Sequence, residues 1–167
     1  NNYKHIKMNK YTIGVLVIVI FIRFNLIILP SFRIDMSDWQ AWAQRLVQAG
    51  PMQFYSPDYF SDYFPGYLYI LWFLGNSFNT LFPQLPIFSL GFEIYLKAFT
   101  TMFDIATAYY IYKITSRYQK KISLLAAIFY LANPAIACNS SDWGQVDGIL
   151  NFFLIYSSYY LLELKNN

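Results

Sequence analysis

The stretch YTIGVLVIVIFIRFNLIILP, residues 11–30, decides the class of this chain. It is a run of apolar side chains in which Arg23 is the one charged residue. A bilayer hydrocarbon core about 30 Å thick takes roughly 20 apolar residues in a helix. The run has that length. It is too long for a typical signal-peptide core and lacks a small-residue cleavage site, so it reads as a retained membrane span. The 167-residue chain as a whole agrees, being 57% hydrophobic and 22% aromatic. A soluble domain is nearer 45–50% apolar. Excess Tyr and Trp suits interfacial belts, where each ring keeps an apolar body and a wet tip. A net charge of +3 without a basic stripe argues against nucleic acid as a partner. Cys138 is the only cysteine, which excludes an intramolecular disulfide, and no zinc-ligand spacing is present.

Further along, residues 93–113, 122–139 and 148–164 also read as spans. A shorter apolar stretch, 67–82, carries Gly75, Asn76 and Asn79. Basic residues decide whether it crosses. Lys4, Lys7 and Lys10 put the N-terminus on the cytoplasmic side by the positive-inside rule. Lys113, Arg117, Lys120 and Lys121 fall on that side only if 67–82 stays out of the bilayer. The sequence therefore predicts one all-α polytopic membrane domain over 1–167, with about four transmembrane helices. Loops 31–92 and 139–147 then share the outer face, the first holding interfacial helices.

One such helix is expected at about 36–49. Ser37 can cap it, with Gln40 as a weak capping box, and Gly50-Pro51 ends it. Trp39, Trp42, Ala43, Leu46 and Val47 recur at helical spacing, a stripe able to rest on the membrane surface.

Acidic residues concentrate just after the first span. Asp35, Asp38, Asp58 and Asp62 lie among Trp, Tyr and Phe, including Tyr55 and Tyr63. Carboxylates and aromatics at a membrane surface suit the handling of a sugar beside a lipid. The Asp35/Asp38 pair is suited to bind a divalent metal or to supply one general base for a hydroxyl acceptor. Simple pairing with a helix dipole is the plainer role for Asp38, whereas Asp35 falls outside the expected cap. A second group, Glu93, Lys97, Thr100, Thr101 and Asp104, shares one helix face. Asp104 lies about 16 Å from the outer end of its span at 1.5 Å per residue. Arg23 reaches a similar depth, and a structural Arg23–Asp104 ion pair is the preferred reading of both. A third group, NSSDWGQVD at 139–147, follows Asn133-Pro134, which should kink or end the third span. Its Asp142, Gln145 and Asp147 point to a polar site, although Asp147 also suits a helix start. His5 stands alone in a basic tail, and Cys138 reads as a small apolar residue near a helix end.

Taken in order, these groups resemble the N-terminal part of the GT-C superfamily of integral membrane glycosyltransferases, specifically bacterial polyprenyl-phosphate-sugar-dependent, mannosyltransferase-like members. The likeness rests on Asp35 after the first span, then Trp42-Ala43, Leu46, Gly50 and Phe54-Tyr55. Asp62-Tyr63-Phe64-Pro65-Gly66-Tyr67-Leu68-Tyr69-Ile70-Leu71-Trp72 resembles the family's DYPPGYLYxLW stretch, with Phe64 in place of its first Pro. Lys97 and Asp104 match a Lys and Asp of the next span. Asn133-Pro134, Ser140 or Ser141, and Trp143-Gly144-Gln145-Val146-Asp147 match an NP....S.WGQ.D stretch, the most specific of the set. The resemblance implies Asp35 as catalytic base with Asp38 as a partner. It implies a substrate site including Tyr55, Asp62, Tyr63, Lys97, Asp104, Gln145 and Asp147. The implied reaction passes a sugar from a polyprenyl-phosphate donor to an acceptor glycan, lipid or protein, usually with inversion. No cofactor is implied, although a divalent metal fits the acids. The implied location is the outer, periplasmic or extracellular, face of a bacterial plasma membrane. Family members are much longer, so the chain is expected to be an N-terminal module or truncated form.

Two other readings stay open on the residues alone. One is a non-catalytic membrane subunit or scaffold that keeps the fold. The other is a small channel or transporter built on the Lys97–Asp104 face, disfavoured because the acids gather in the loops.

Overall fold

In a computed structural model of the chain, residues 10–165 are described. Lys4, Lys7 and His5 lie outside them. Every regular element among the described residues is helical. The order is α1 (Lys10–Ile27), α2 (Arg33–Ala49), a 3-10 turn (Pro51–Gln53), α3 (Pro65–Leu81), α4 (Leu90–Tyr118), α5 (Ser123–Ala132), α6 (Pro134–Ala137), a π-helical turn (Cys138–Trp143) and α7 (Asp147–Lys165).

By length and composition, α1 is apolar enough to cross a membrane. The arms Ser123–Ala132 and Pro134–Trp143 pass together as a second span if they form one broken helix, bent by 55°. The bend sits where Asn133-Pro134 predicts it. Pro134 has no N–H to continue α5, and Asn133 instead accepts from the Ala135 amide at 2.9 Å, starting α6 afresh. Helices α4 and α7 cover the other two expected spans and overrun them in length. Both fall short in apolarity, because threonines, tyrosines and charges dilute them.

The surface helix differs from its expected form. It starts at Arg33, three residues before Met36, with Phe32 at the cap position and no side-chain cap. Ser37 therefore does not cap it; its hydroxyl donates to the Ile34 carbonyl at 2.7 Å. Asp35, not Asp38, occupies the first turn. The tryptophan stripe is corrected too. Trp39, Trp42, Ala43 and Leu46 are buried against protein, chiefly α3, and are not free to rest on a bilayer. Gly75 of α3 explains the close approach: a Cβ there would lie 2.8 Å from Val47 Cγ2. Gly50 ends α2 as expected, at φ 77°.

These contacts build two cores. One joins α2, α3 and the start of α4 through Met36, Leu46, Leu71, Phe78, Phe92 and Leu96. Each such large side chain contributes about 1.5–3 kcal/mol relative to exposure. The other joins α1, α4 and α5 through Val19, Ala108, Ala127, Ile128 and Leu131. Helix α7 packs along α4 by an aromatic ladder, with Phe103–Phe152 at 5.2 Å and Tyr110–Tyr156 at 5.1 Å between ring centroids. The polar face of α4 is turned inward between the two cores. Lys97, Thr100, Thr101 and Asp104 are all buried there.

Candidate functional site

The site begins with the turn from α1 into α2. A short link with few side chains to fill a core needs outside anchors, and α4 supplies them. Lys97 donates to the Leu29 carbonyl, and Glu93 accepts from the Ser31 amide at 2.6 Å. These clamps fix where α2 starts. Asp35 then sits in its first turn, where the positive end of the helix dipole favours a carboxylate.

The second component is the loop after the π-helical turn. Thr100 and Thr101 of α4 hold that turn by hydrogen bonds to the Ser140 carbonyl at 3.2 Å and the Ser141 hydroxyl at 3.0 Å. Gly144 follows at φ 88°, a left-handed conformation that costs other residues about 1–2 kcal/mol. A Cβ at this position would also lie 2.9 Å from Lys97 Cγ. The reversal aims the side chains on either side of Gly144 at one target. Trp143 Nε1 donates to Asp35 Oδ2 at 2.9 Å, and Gln145 Nε2 donates to the same oxygen at 2.7 Å. Phe32 packs on the Trp143 ring at 5.3 Å between centroids. Asp35 Oδ2 is thus held from across the chain, with no such donor on Oδ1 among the described residues.

The third component is the loop between α2 and α3. Trp42 Nε1 donates to the Phe60 carbonyl at 3.1 Å, and Arg45 Nε to the Phe54 carbonyl at 2.8 Å. Arg45 also lies over the Tyr59 ring at 4.3 Å. Tyr55 donates to the Tyr63 carbonyl at 2.8 Å and so fixes Tyr63. The Tyr63 hydroxyl lies 3.5 Å from Gln145 Oε1, a long contact that faces the amide towards Asp35.

Electrostatics agree that these groups share one space. The Tyr63 phenol is pushed up by burial first, then by the carboxylates of Asp147, Asp62 and Asp35. It is therefore a hydrogen-bond donor at neutral pH. Asp38 is pushed above the usual carboxylate range by burial, then by Asp35 and Asp62. Three acids surround the Tyr63 phenol, with Asp38 beside two of them, and none of the four is ion-paired among the described residues. Asp147 accepts from Asn139 Nδ2 at 3.0 Å and opens α7.

The structure thus brings together Asp35, Asp38, Tyr55, Asp62, Tyr63, Gln145 and Asp147. Asp104 and Lys97 are set apart. Asp104 is 1% exposed, paired with Arg23, and accepts from the Ser140 hydroxyl and from Tyr130 at 3.1 Å. A Cβ at Gly148 would lie 2.9 Å from Asp104 Oδ1, so α7 seals the group. Lys97 is equally buried and committed to Leu29 and Glu93. For Asp104 and Lys97 the expected substrate contact gives way to a structural role. A side chain closed on every side by protein has no room for a ligand.

Trp143 was the partner of Asp35 that sequence spacing did not reveal. The available signal was a glycine with a donor side chain on each flank. Tyr130, as a partner of Asp104, carried no signal at all. A metal fits poorly. Among the described residues no three His, Cys, Asp or Glu side chains converge, and Asp35 Oδ2 already faces two N–H donors.

No protein-family model, curated protein or solved structure matches the chain.

Proposed function

We propose that this chain is the N-terminal module of a membrane glycosyltransferase, with Asp35 as the base that activates the acceptor. One observation carries the reading. The carboxylate is gripped at Oδ2 by Trp143 and Gln145, while Oδ1 has no donor among the described residues. A base needs that combination: one oxygen fixed so that the other meets a proton at a set position.

In the proposed step an acceptor hydroxyl attacks the anomeric carbon of a sugar on a polyprenyl phosphate. The new C–O bond forms as the bond to phosphate breaks. The hydroxyl proton passes to Asp35 Oδ1, and the phosphate leaves on its lipid. Asp62, Asp147 and Tyr63 offer acceptors and a donor to sugar hydroxyls, while the nearby aromatic rings offer apolar faces to a sugar ring.

Membrane placement belongs to the same reading. Val17, Ile18, Phe21 and Ile22 of α1 are exposed, and so are Leu154, Leu161 and Leu164 of α7, as surfaces facing lipid would be. With α2 and α3 packed on each other, α3 need not cross, and Lys113, Arg117, Lys120 and Lys121 lie together on the cytoplasmic side. The four-span topology and the outer-face site are part of this same proposal.

The test is sugar transfer by the full reading frame from a polyprenyl-phosphate hexose. Asp35→Asn should slow transfer by about 10²–10⁴-fold, the usual contribution of general-base catalysis, with membrane insertion intact. Asp38→Asn should cost far less, and chelator should not change the rate. Wild-type transfer by Asp35→Asn would refute the assignment.

A further inference from the structure

A second concavity lies on the opposite side of α2 from Asp35. Residues Arg33, Ser37 and Gln40 recur at helical spacing on the face that lines it, whereas Asp35, Trp39 and Trp42 point the other way. Its volume is about 570 Å³, bounded by the α1–α2 turn and the first turn of α4. Nothing in the proposed transfer step uses it.

Its chemistry is that of an anion site with an apolar border. Arg33 is exposed and makes no ion pair among the described residues. The Ser31 hydroxyl is buried and has no hydrogen-bond partner among the described residues. A buried hydroxyl left unpaired costs free energy, so an acceptor arriving here removes a penalty already present. The first turn of α2 lacks a side-chain cap, and its N–H groups add to the positive field. Glu93 is the one acid lining the cavity. Its carboxylate accepts from the Ser31 amide and lies 3.9 Å from the Lys97 ammonium, which offsets its charge. The border is apolar: Ile34 and Leu90, which line the cavity, are largely exposed, and Pro30 and Met36 line it too. A cation and an unpaired hydroxyl beside exposed alkyl groups, at the end of an apolar helix, match an amphiphile better than a free ion.

We infer that this cavity binds the phosphate-bearing headgroup of a membrane lipid, with Arg33 as its cation and Ser31 as a donor. An arginine fork suits phosphate oxygens bidentately. The lipid would hold the α1–α2 turn at the headgroup level, next to but separate from Asp35. This inference rests on the membrane reading but not on the transfer reaction.

The experiment uses the whole chain in mild detergent, with lipid binding followed by native mass spectrometry. The probes are phosphatidic acid, phosphatidylglycerol, diacylglycerol and inorganic phosphate. Both phospholipids should be retained and diacylglycerol should not. Arg33→Gln should weaken phospholipid retention by about tenfold, as loss of a charge-assisted contact implies, with Arg33→Lys intermediate. Ser31→Ala should weaken it less, and Asp35→Asn should leave it unchanged. Helicity by circular dichroism checks that each variant is folded. Unchanged retention in Arg33→Gln, or loss instead in Lys120→Gln/Lys121→Gln, would overturn the assignment to this cavity. Inorganic phosphate displacing the lipid at equal concentration would show a free-anion site, which also overturns it. Carbonate-resistant association with phosphatidylcholine vesicles reports the membrane reading separately from all of these results.

Discussion

Asp104 and Asp35 are both carboxylates held by residues from distant parts of the chain, and they are held to opposite ends. Asp104 is enclosed: Arg23, Ser140 and Tyr130 close on it, with donors on both oxygens, and Gly148 lets α7 press against it. Asp35 is half-saturated: Trp143 and Gln145 take one oxygen and leave the other open. A buried carboxylate that takes three donors ties helices together, at a desolvation cost that the pairing must offset; Arg23 Nε and Nη1 are left without hydrogen-bond partners among the described residues. A half-held carboxylate keeps capacity for a proton or a hydroxyl. The same loop serves both, since Ser140 reaches Asp104 and Trp143 reaches Asp35 within a few residues.

The largest effect should come from breaking the enclosed group. Asp104→Asn or Arg23→Met leaves an uncompensated charge or a buried polar remnant. Either should cost about 3–5 kcal/mol, seen as loss of folded protein in a denaturant titration. Removing both charges together should cost less than removing either alone. A double variant as damaged as the sum of the singles would break the comparison.

The half-saturated group should respond in rate and not in fold. Gln145→Leu removes one donor to a charged oxygen, a contact worth about 1.5–3 kcal/mol. Transfer should fall by about tenfold or more in kcat while KM for the acceptor stays within twofold. A change confined to KM would make Gln145 a substrate contact and not a positioning residue.

Gly144→Ala sharpens the link between the two groups. The left-handed backbone alone should cost about 1–2 kcal/mol, and the clash with Lys97 adds to it. Transfer should fall along with stability, because the reversal aims Trp143 and Gln145.

The smallest effect is expected at Asp38. Burial and the neighbouring acids raise its folded value above the ordinary 3.8. The folded state then binds the proton more tightly, so ionisation penalises folding as pH rises through that window. Asp38→Asn should therefore stabilise the protein slightly at neutral pH, by no more than about 0.5 kcal/mol. The gain should vanish as pH falls below 3.8. A stabilisation that persists in acid would remove the charge explanation.

Much of this was legible in the sequence because it depends on local rules. The break at Asn133-Pro134, the end of α2 at Gly50 and the shared face of Lys97, Thr100, Thr101 and Asp104 follow from proline chemistry, glycine freedom and helical spacing. The Arg23–Asp104 pair was legible because buried charges seek partners. The start of α2 was not, since no side chain caps it and clamps from Glu93 and Lys97, far along the chain, set it instead. Nor was the destination of the tryptophan stripe. An amphipathic pattern tells that a face is covered, not whether lipid or α3 covers it. The hold of Trp143 on Asp35 spans 108 positions, beyond the reach of any spacing rule.

The most direct test sets Asp35→Asn beside Asp104→Asn in the full reading frame, measuring folded yield and sugar transfer on the same preparations. An amide at position 35 can still accept from Trp143 and Gln145 but cannot take a proton as a carboxylate does. The account predicts that Asp35→Asn folds like the wild type and loses transfer by about 10²–10⁴-fold. It predicts that Asp104→Asn loses folded protein first, with transfer per folded molecule largely kept. Unfolding in Asp35→Asn together with normal yield in Asp104→Asn would contradict it.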